Sequence, residues 1–179
     1  MQSYSKKNNF YFNQKYLKEN KSILLAALVL FILPLFPLNQ LIVGIIVNAI
    51  LIKFAISIQS KKIYFLSIIP SLAVFLGGIL FANITPQIAL MLPFIWISNF
   101  VLMFLTKKLF VGRKKNYFVS TLISSIAKTL VLFTFAFVLF YFSLVTSLFL
   151  FMFGIMQLIT AESGAVLIYF LERVSKKVF

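Results

Sequence analysis

Two ionisable residues stand where a charge is hardest to keep. Glu162 lies in the middle of the apolar run FMFGIMQLITAESGAVLIYF, and Lys128 lies inside YFVSTLISSIAKTLVLF. The chain has only three acidic residues, Glu19, Glu162 and Glu172. An unpaired charge at the centre of a lipid bilayer costs at least ~2.5–3 kcal/mol. Counting from Tyr117 at about 1.5 Å per residue puts Lys128 roughly 16 Å deep. The same count from the far end of its run puts Glu162 roughly 15–18 Å deep. The expectation is an ion pair between adjacent helices. It has two readings: a clasp that joins the helices, or a site in which a ligand or proton competes for one partner.

Other polar side chains lie near this depth: Asn48 in IIVNAILI, Trp96 and Asn99 in LPFIWISNF, Gln157 in MQLIT, and Ser124, Ser125 and Thr129 around Lys128. Amides cannot stay unpaired in lipid, so Asn48, Asn99 and Gln157 are expected to point inward. They either bridge helices or line a shared polar cavity. Pro93 frees one backbone carbonyl near Trp96 that such a cavity can use. The candidate substrate-binding set is therefore Asn48, Trp96, Asn99, Lys128, Gln157 and Glu162. Lys53 is shallower, roughly 8 Å from the end of its run, where a lysine stem can snorkel to the interface.

These residues need helices to hold them, and composition says what surrounds the helices. Of the 179 residues, 62% are hydrophobic and 11% charged, against roughly half and a quarter in a soluble domain. A chain this short cannot hide that much apolar surface in one core, so lipid is the expected solvent. Apolar runs divide the chain into six expected spans: 22–36, 41–58, 63–82, 87–106, 117–142 and 146–174. The first two are short, and the first helix has room to begin earlier. The polar start carries no secretory-signal pattern and is expected to be retained.

Fifteen of the 17 basic residues flank these runs in strict alternation. Lys6, Lys7, Lys15, Lys18 and Lys21 precede the first. Lys61 and Lys62 follow the second. Lys107, Lys108, Arg113, Lys114 and Lys115 follow the fourth, and Arg173, Lys176 and Lys177 end the chain. The other three connections hold none. Positive charge marks cytoplasmic loops. The expected fold is thus an all-α integral membrane protein, a compact bundle of six transmembrane helices with both termini in the cytoplasm, multi-pass in the cell (plasma) membrane. Residues 1–21 form a basic, aromatic cytoplasmic or interfacial tail, 22–174 the membrane domain, and 175–179 a short basic tail. Gly44, Gly77, Gly78, Gly154, Gly164 and the pair Ala161 and Ala165 suit close helix packing.

The net charge of +14 is accounted for by these flanks, so nucleic acid is not an expected partner. The chain has no Cys and no His, which removes the usual zinc, iron–sulfur and haem ligands and the Cys and His catalytic groups. No phosphate-binding loop and no paired carboxylates are present. The expectation is no catalytic residue, no metal and no cofactor. Any uphill transport would draw on an ion gradient or a partner.

The layout resembles the substrate-binding S components of energy-coupling factor (ECF) transporters. YFVSTLISSIAKTLVLF with FGIMQLITAESGAVLIYFL, and the segments IIVNAILI and LPFIWISNF, are also similar to short S-component-like bacterial membrane proteins sometimes labelled "iron hydrogenase". The similarity covers roughly residues 41–171. It implies six helices, no ATPase of its own, separate coupling-subunit and ATPase partners, and a small-molecule substrate that it does not specify. The chain departs from the family at the first helix, where Ala26 is followed four residues on by Leu30 and Ala27 by Phe31, and in a short first outer loop. Two other functions follow from the residues alone: a structural or accessory membrane protein clasped by Lys128 and Glu162, or a small ion-coupled transporter that titrates Glu162.

Overall fold

Three polar side chains turn the chain into its helices. Asn39 Oδ1 accepts from the Leu41 amide at 2.9 Å, Ser60 Oγ from the Lys62 amide at 3.3 Å, and Asn116 Oδ1 from the Phe118 amide at 2.9 Å. Each satisfies a donor that a helix start leaves unpaired. The computed structural model describes the backbone of residues 2–36, 38–77 and 85–175, and the side chains of 17–36, 38–77 and 87–175. The described residues contain no strand. They form α1 (Gln2–Ile32), α2 (Gln40–Ser57), α3 (Ile69–Gly77), α4 (Thr85–Thr106), α5 (Tyr117–Tyr141), α6 (Ser147–Phe153) and α7 (Ile155–Ser175). Short 3₁₀ turns at Leu33–Leu35 and Lys61–Ser67 precede α2 and α3, and a π-helical turn at Lys107–Gly112 extends α4.

Among the described residues, four stretches are long and apolar enough to cross a membrane: Gln40–Ser57, Gln87–Gly112, Tyr117–Tyr141 and Ser147–Ser175. They match the second, fourth, fifth and sixth expected spans. The first expected span is the end of a longer helix that starts at Gln2. The third is not one α-helix. It runs as a 3₁₀ turn through Ser67 and becomes α only at Ile69, with Pro70 in the first α turn, where a missing N–H does no harm. Its expected end lies in 78–84, outside the described residues, as do residues 176–179 of the C-terminal tail and the side chains of the first sixteen residues. The last expected span breaks at Gly154, between α6 and α7. A Cβ there would stand 2.6 Å from the Leu150 carbonyl oxygen.

The four long apolar stretches make the centre of the bundle. α2 lies along α7, α4 along α5, and α5 touches α7; α1 and α3 pack on the flank. One buried apolar cluster joins Leu30, Leu51, Ile52, Ile63, Leu66, Leu102 and Met103. A second joins Ile88, Met91, Leu132, Ala136, Phe149 and Met152. Phe94 and Phe135 stack between α4 and α5 with centroids 3.7 Å apart. The outside is apolar too: Leu24, Phe65, Leu76, Leu130, Phe137 and Phe170 are all more than half exposed. Monomers that face water seldom carry so continuous an apolar coat.

The basic connections meet at one end. Lys107 Nζ donates to the carbonyls of Ile58 at 2.6 Å and Gln59 at 3.1 Å, closing the C-terminus of α2. Lys62 Nζ reaches Asn20 Oδ1 at 3.5 Å.

The helices α2 and α7 approach each other closely at Gly164. A Cβ on Gly164 would sit 2.8 Å from the Ala49 nitrogen and 2.9 Å from the Ile45 oxygen. Both are backbone atoms and cannot swing aside. Gly164→Ala is therefore expected to lower stability by about 1–3 kcal/mol. Gly112→Ala, whose Cβ would meet nothing nearer than 3.9 Å, is expected to stay within ~0.5 kcal/mol of the parent. Thermal unfolding of the purified variants in detergent checks both; equal melting temperatures would show that the contact is slack.

Candidate functional site

Four helices bring the residues of one site together by helical spacing. On α2 these are Gly44 and Asn48, one turn apart. On α7 they are Gln157, Thr160 and Gly164, at i, i+3 and i+7. Asn99 comes from α4 and Lys128 from α5. Together with Pro34, Gln40, Ser71, Ile88, Ile95 and Met152, all of these but Gly164 line a cavity of about 130 Å³. Gly44 leaves room for Thr160, whose Cγ2 would stand 3.0 Å from a Cβ. Thr160 and Asn48 can then meet.

They meet in a chain of hydrogen bonds. The Lys128 ammonium donates to Asn48 Oδ1 at 2.5 Å. Asn48 Nδ2 donates to Thr160 Oγ1 at 3.1 Å, and that hydroxyl donates to the Gln157 carbonyl at 3.2 Å. Lys128 is 2% exposed and Asn48 1%. Nearby, Asn99 Nδ2 donates to the Ser67 carbonyl at 3.1 Å, where the 3₁₀ turn gives way to α3. Trp96 Nε1 donates to Ser71 Oγ at 2.9 Å, and Ser71 donates on to the Ile68 carbonyl. These bonds satisfy the buried amides, and they also hold polar groups at the wall of a space.

Of the six candidate residues, the structure gathers Asn48, Asn99, Lys128 and Gln157 around the cavity. Trp96 lies outside it, in a shallow surface depression with Tyr64 and Phe100. It acts on the cavity through Ser71. Glu162 is not in the lining at all.

The expected Lys128–Glu162 ion pair does not form. Lys128 has an amide partner, and the buried Oε1 of Glu162 accepts no hydrogen bond. Depth is not the reason, because the helices do run side by side. Direction around the axis is. At 3.6 residues per turn, Glu162 points roughly 160–200° away from Thr160, the residue that faces α2 and the cavity. The single ion pair among the described residues is Lys53 with Glu172, Nζ to Oε1 at 3.0 Å. Glu172 is buried at 2% exposure, whereas the Lys53 side chain is 46% exposed. Lys53 thus leans to the edge as expected, but it also finds an acid. The same depth argument applied to Lys53 would have found Glu172, since each lies a few residues from the same end of its helix.

Thr160 and Ser71 belong to the site and were not among the candidates. Single hydroxyls are common in membrane helices, and only the i, i+3, i+7 stripe with Gln157 and Gly164 distinguishes Thr160. Of the hydroxyls around Lys128, Ser124 bonds back to the Ser120 carbonyl at 2.6 Å. Ser125 and Thr129 make no hydrogen bond through their buried oxygens.

The chain matches no family model, no curated protein and no solved structure. The site's chemistry has to be read from its own atoms: a buried lysine amine, four amides and two hydroxyls facing a small space with largely apolar walls.

Two double-mutant cycles separate the pair that forms from the pair that does not. Lys53→Met with Glu172→Gln is expected to show a coupling of about 0.5–1 kcal/mol, held to the low end by the exposure of Lys53. Lys128→Met with Glu162→Gln is expected to be additive within ~0.5 kcal/mol. Unfolding in detergent measures both. Strong coupling in the second cycle would restore the clasp.

Proposed function

We propose that this chain is a multi-pass plasma-membrane protein of six spans, with both termini in the cytoplasm, that binds a small-molecule substrate in its central cavity. It serves as the binding subunit of a transporter. The energy comes from separate coupling and ATPase proteins, as the resemblance to ECF S components implies, and the chain itself catalyses nothing. The supporting observation is the cavity: a buried lysine with no acidic partner beside amides and hydroxyls, inside a bundle whose outside is apolar. A purely structural bundle has no use for a space there, and an apolar filling would hold the helices with no buried charge.

The lining also supports a direction of access. It runs from Pro34 and Gln40, at the end without lysines, to Asn99 and Lys128 at mid-depth. With the lysine-rich end in the cytoplasm, the Pro34 and Gln40 end of the cavity lies toward the outside, the side from which uptake starts.

A second reading rests on Glu162. A carboxylate oxygen buried without a hydrogen bond is expensive unless it is protonated or holds a cation. In that reading Glu162 carries the coupling ion during transport, and Glu162→Gln abolishes uptake while substrate binding persists.

Topology is tested on single cysteines, because the chain has none. A membrane-impermeant thiol reagent is expected to label Thr146→Cys in intact cells, and Lys115→Cys only after permeabilisation. The reverse pattern would invert the protein. Binding is tested by native mass spectrometry of the detergent-purified protein. A retained small molecule is expected in the parent and lost in Asn99→Leu and Gln157→Leu at unchanged yield. Loss of folded protein in both variants would reduce these amides to helix bridges.

A further inference from the structure

We infer that the cavity selects a compact monoanion with an apolar body, and that Lys128 supplies the charge that recognises it. The inference rests on the substrate-binding reading above and narrows it. The charge inventory leads there. Glu172 is taken by Lys53 at 3.0 Å. Glu162 stands on the other side of α7 and is absent from the lining. The cavity wall therefore holds one cationic side chain and no anionic one. An ammonium has three N–H donors, and Lys128 makes one hydrogen bond, to Asn48. Two donors remain for an occupant. A bound carboxylate would meet them as a charge-assisted pair and remove the cost of an isolated buried cation.

The walls set the rest of the ligand. Val43, Val47, Ile88, Ile95, Met152 and Phe153 provide an apolar surface around the space. At about 130 Å³ it approaches the ~150 Å³ that holds a benzene molecule in an apolar protein cavity. A ring-sized body with its carboxylate at the deep end fits both features. Asn48 fixes the lysine from behind: its oxygen takes one N–H, and its own N–H₂ is anchored on Thr160.

Benzoate and benzamide test this, because they share shape and differ in charge. The purified protein is titrated with each in detergent at constant ionic strength, by calorimetry and thermal shift. Benzoate is expected to bind at least about tenfold more tightly than benzamide. Lys128→Met should bring the ratio close to one. Asn48→Asp should do the same by a different route, since it gives Lys128 an internal counter-charge with almost no change of shape. If Lys128→Met fails to fold, Asn48→Asp decides alone. Equal binding of the two probes by the parent overturns the anion inference and leaves a substrate-binding cavity standing. So does a benzoate preference that survives in the variants, which would place the anion on surface lysines. Failure of benzoate to bind at all also overturns it, while the retained-ligand measurement judges the broader reading separately.

Discussion

The approach of α2 to α7 is the constraint on which the site depends. Backbone atoms of Ile45 and Ala49 occupy the space where a side chain on residue 164 would begin, and Thr160 occupies the space where one on residue 44 would begin. Helix association in lipid has no hydrophobic drive and relies on such close packing and on hydrogen bonds. The contact does more than join two helices. It brings the Asn48 amide within 3.1 Å of Thr160, which turns the amide oxygen towards α5 and gives Lys128 its partner. Without the two glycines, the helices would stand further apart, and the hydrogen-bond chain that fixes the lysine would be broken.

Charge is divided between two environments. At the lysine-rich end, cations have partners that belong to the chain: Glu172 for Lys53, and the carbonyls that end α2 for Lys107. Exposure there lets water share the load, and such contacts stiffen the end without storing much energy. At mid-depth, Lys128 has an amide only. The same side chain type is structural at the edge and chemically unfinished at the centre, because desolvation rises with depth while the supply of acids does not.

The irregular helices serve the same centre. The 3₁₀ turn before α3 presents the Ser67 carbonyl to Asn99, and Ser71, just beyond, receives Trp96. Gly154 breaks the last run so that α6 packs on α5 while α7 follows α2. Non-helical backbone is tolerated at such depth where it is buried in protein or lines a cavity, and here it does so.

Much was already present in the sequence. Length and apolarity alone point to helices and place 41–58, 87–106, 117–142 and 146–174 on the four long apolar stretches of the described residues, since those properties are summed along the chain. That Asn48, Asn99, Lys128 and Gln157 turn inward follows from the cost of a lone polar group in an apolar solvent. Depth could be counted as well, at a fixed rise per residue. What could not be counted is the direction in which each side chain leaves its helix relative to the neighbours, because that depends on how the helices are rotated and packed. Tertiary structure alone decided that Lys128 meets Asn48 and not Glu162, that Glu172 holds Lys53, that Trp96 acts through Ser71, and that Thr160 joins the site. The third run shows the same limit: its composition is mostly apolar, yet the 3₁₀ turn with which it enters packs against α1 and α4, which composition does not specify. A one-dimensional chain specifies how deep a charge lies, and three-dimensional packing specifies what it faces.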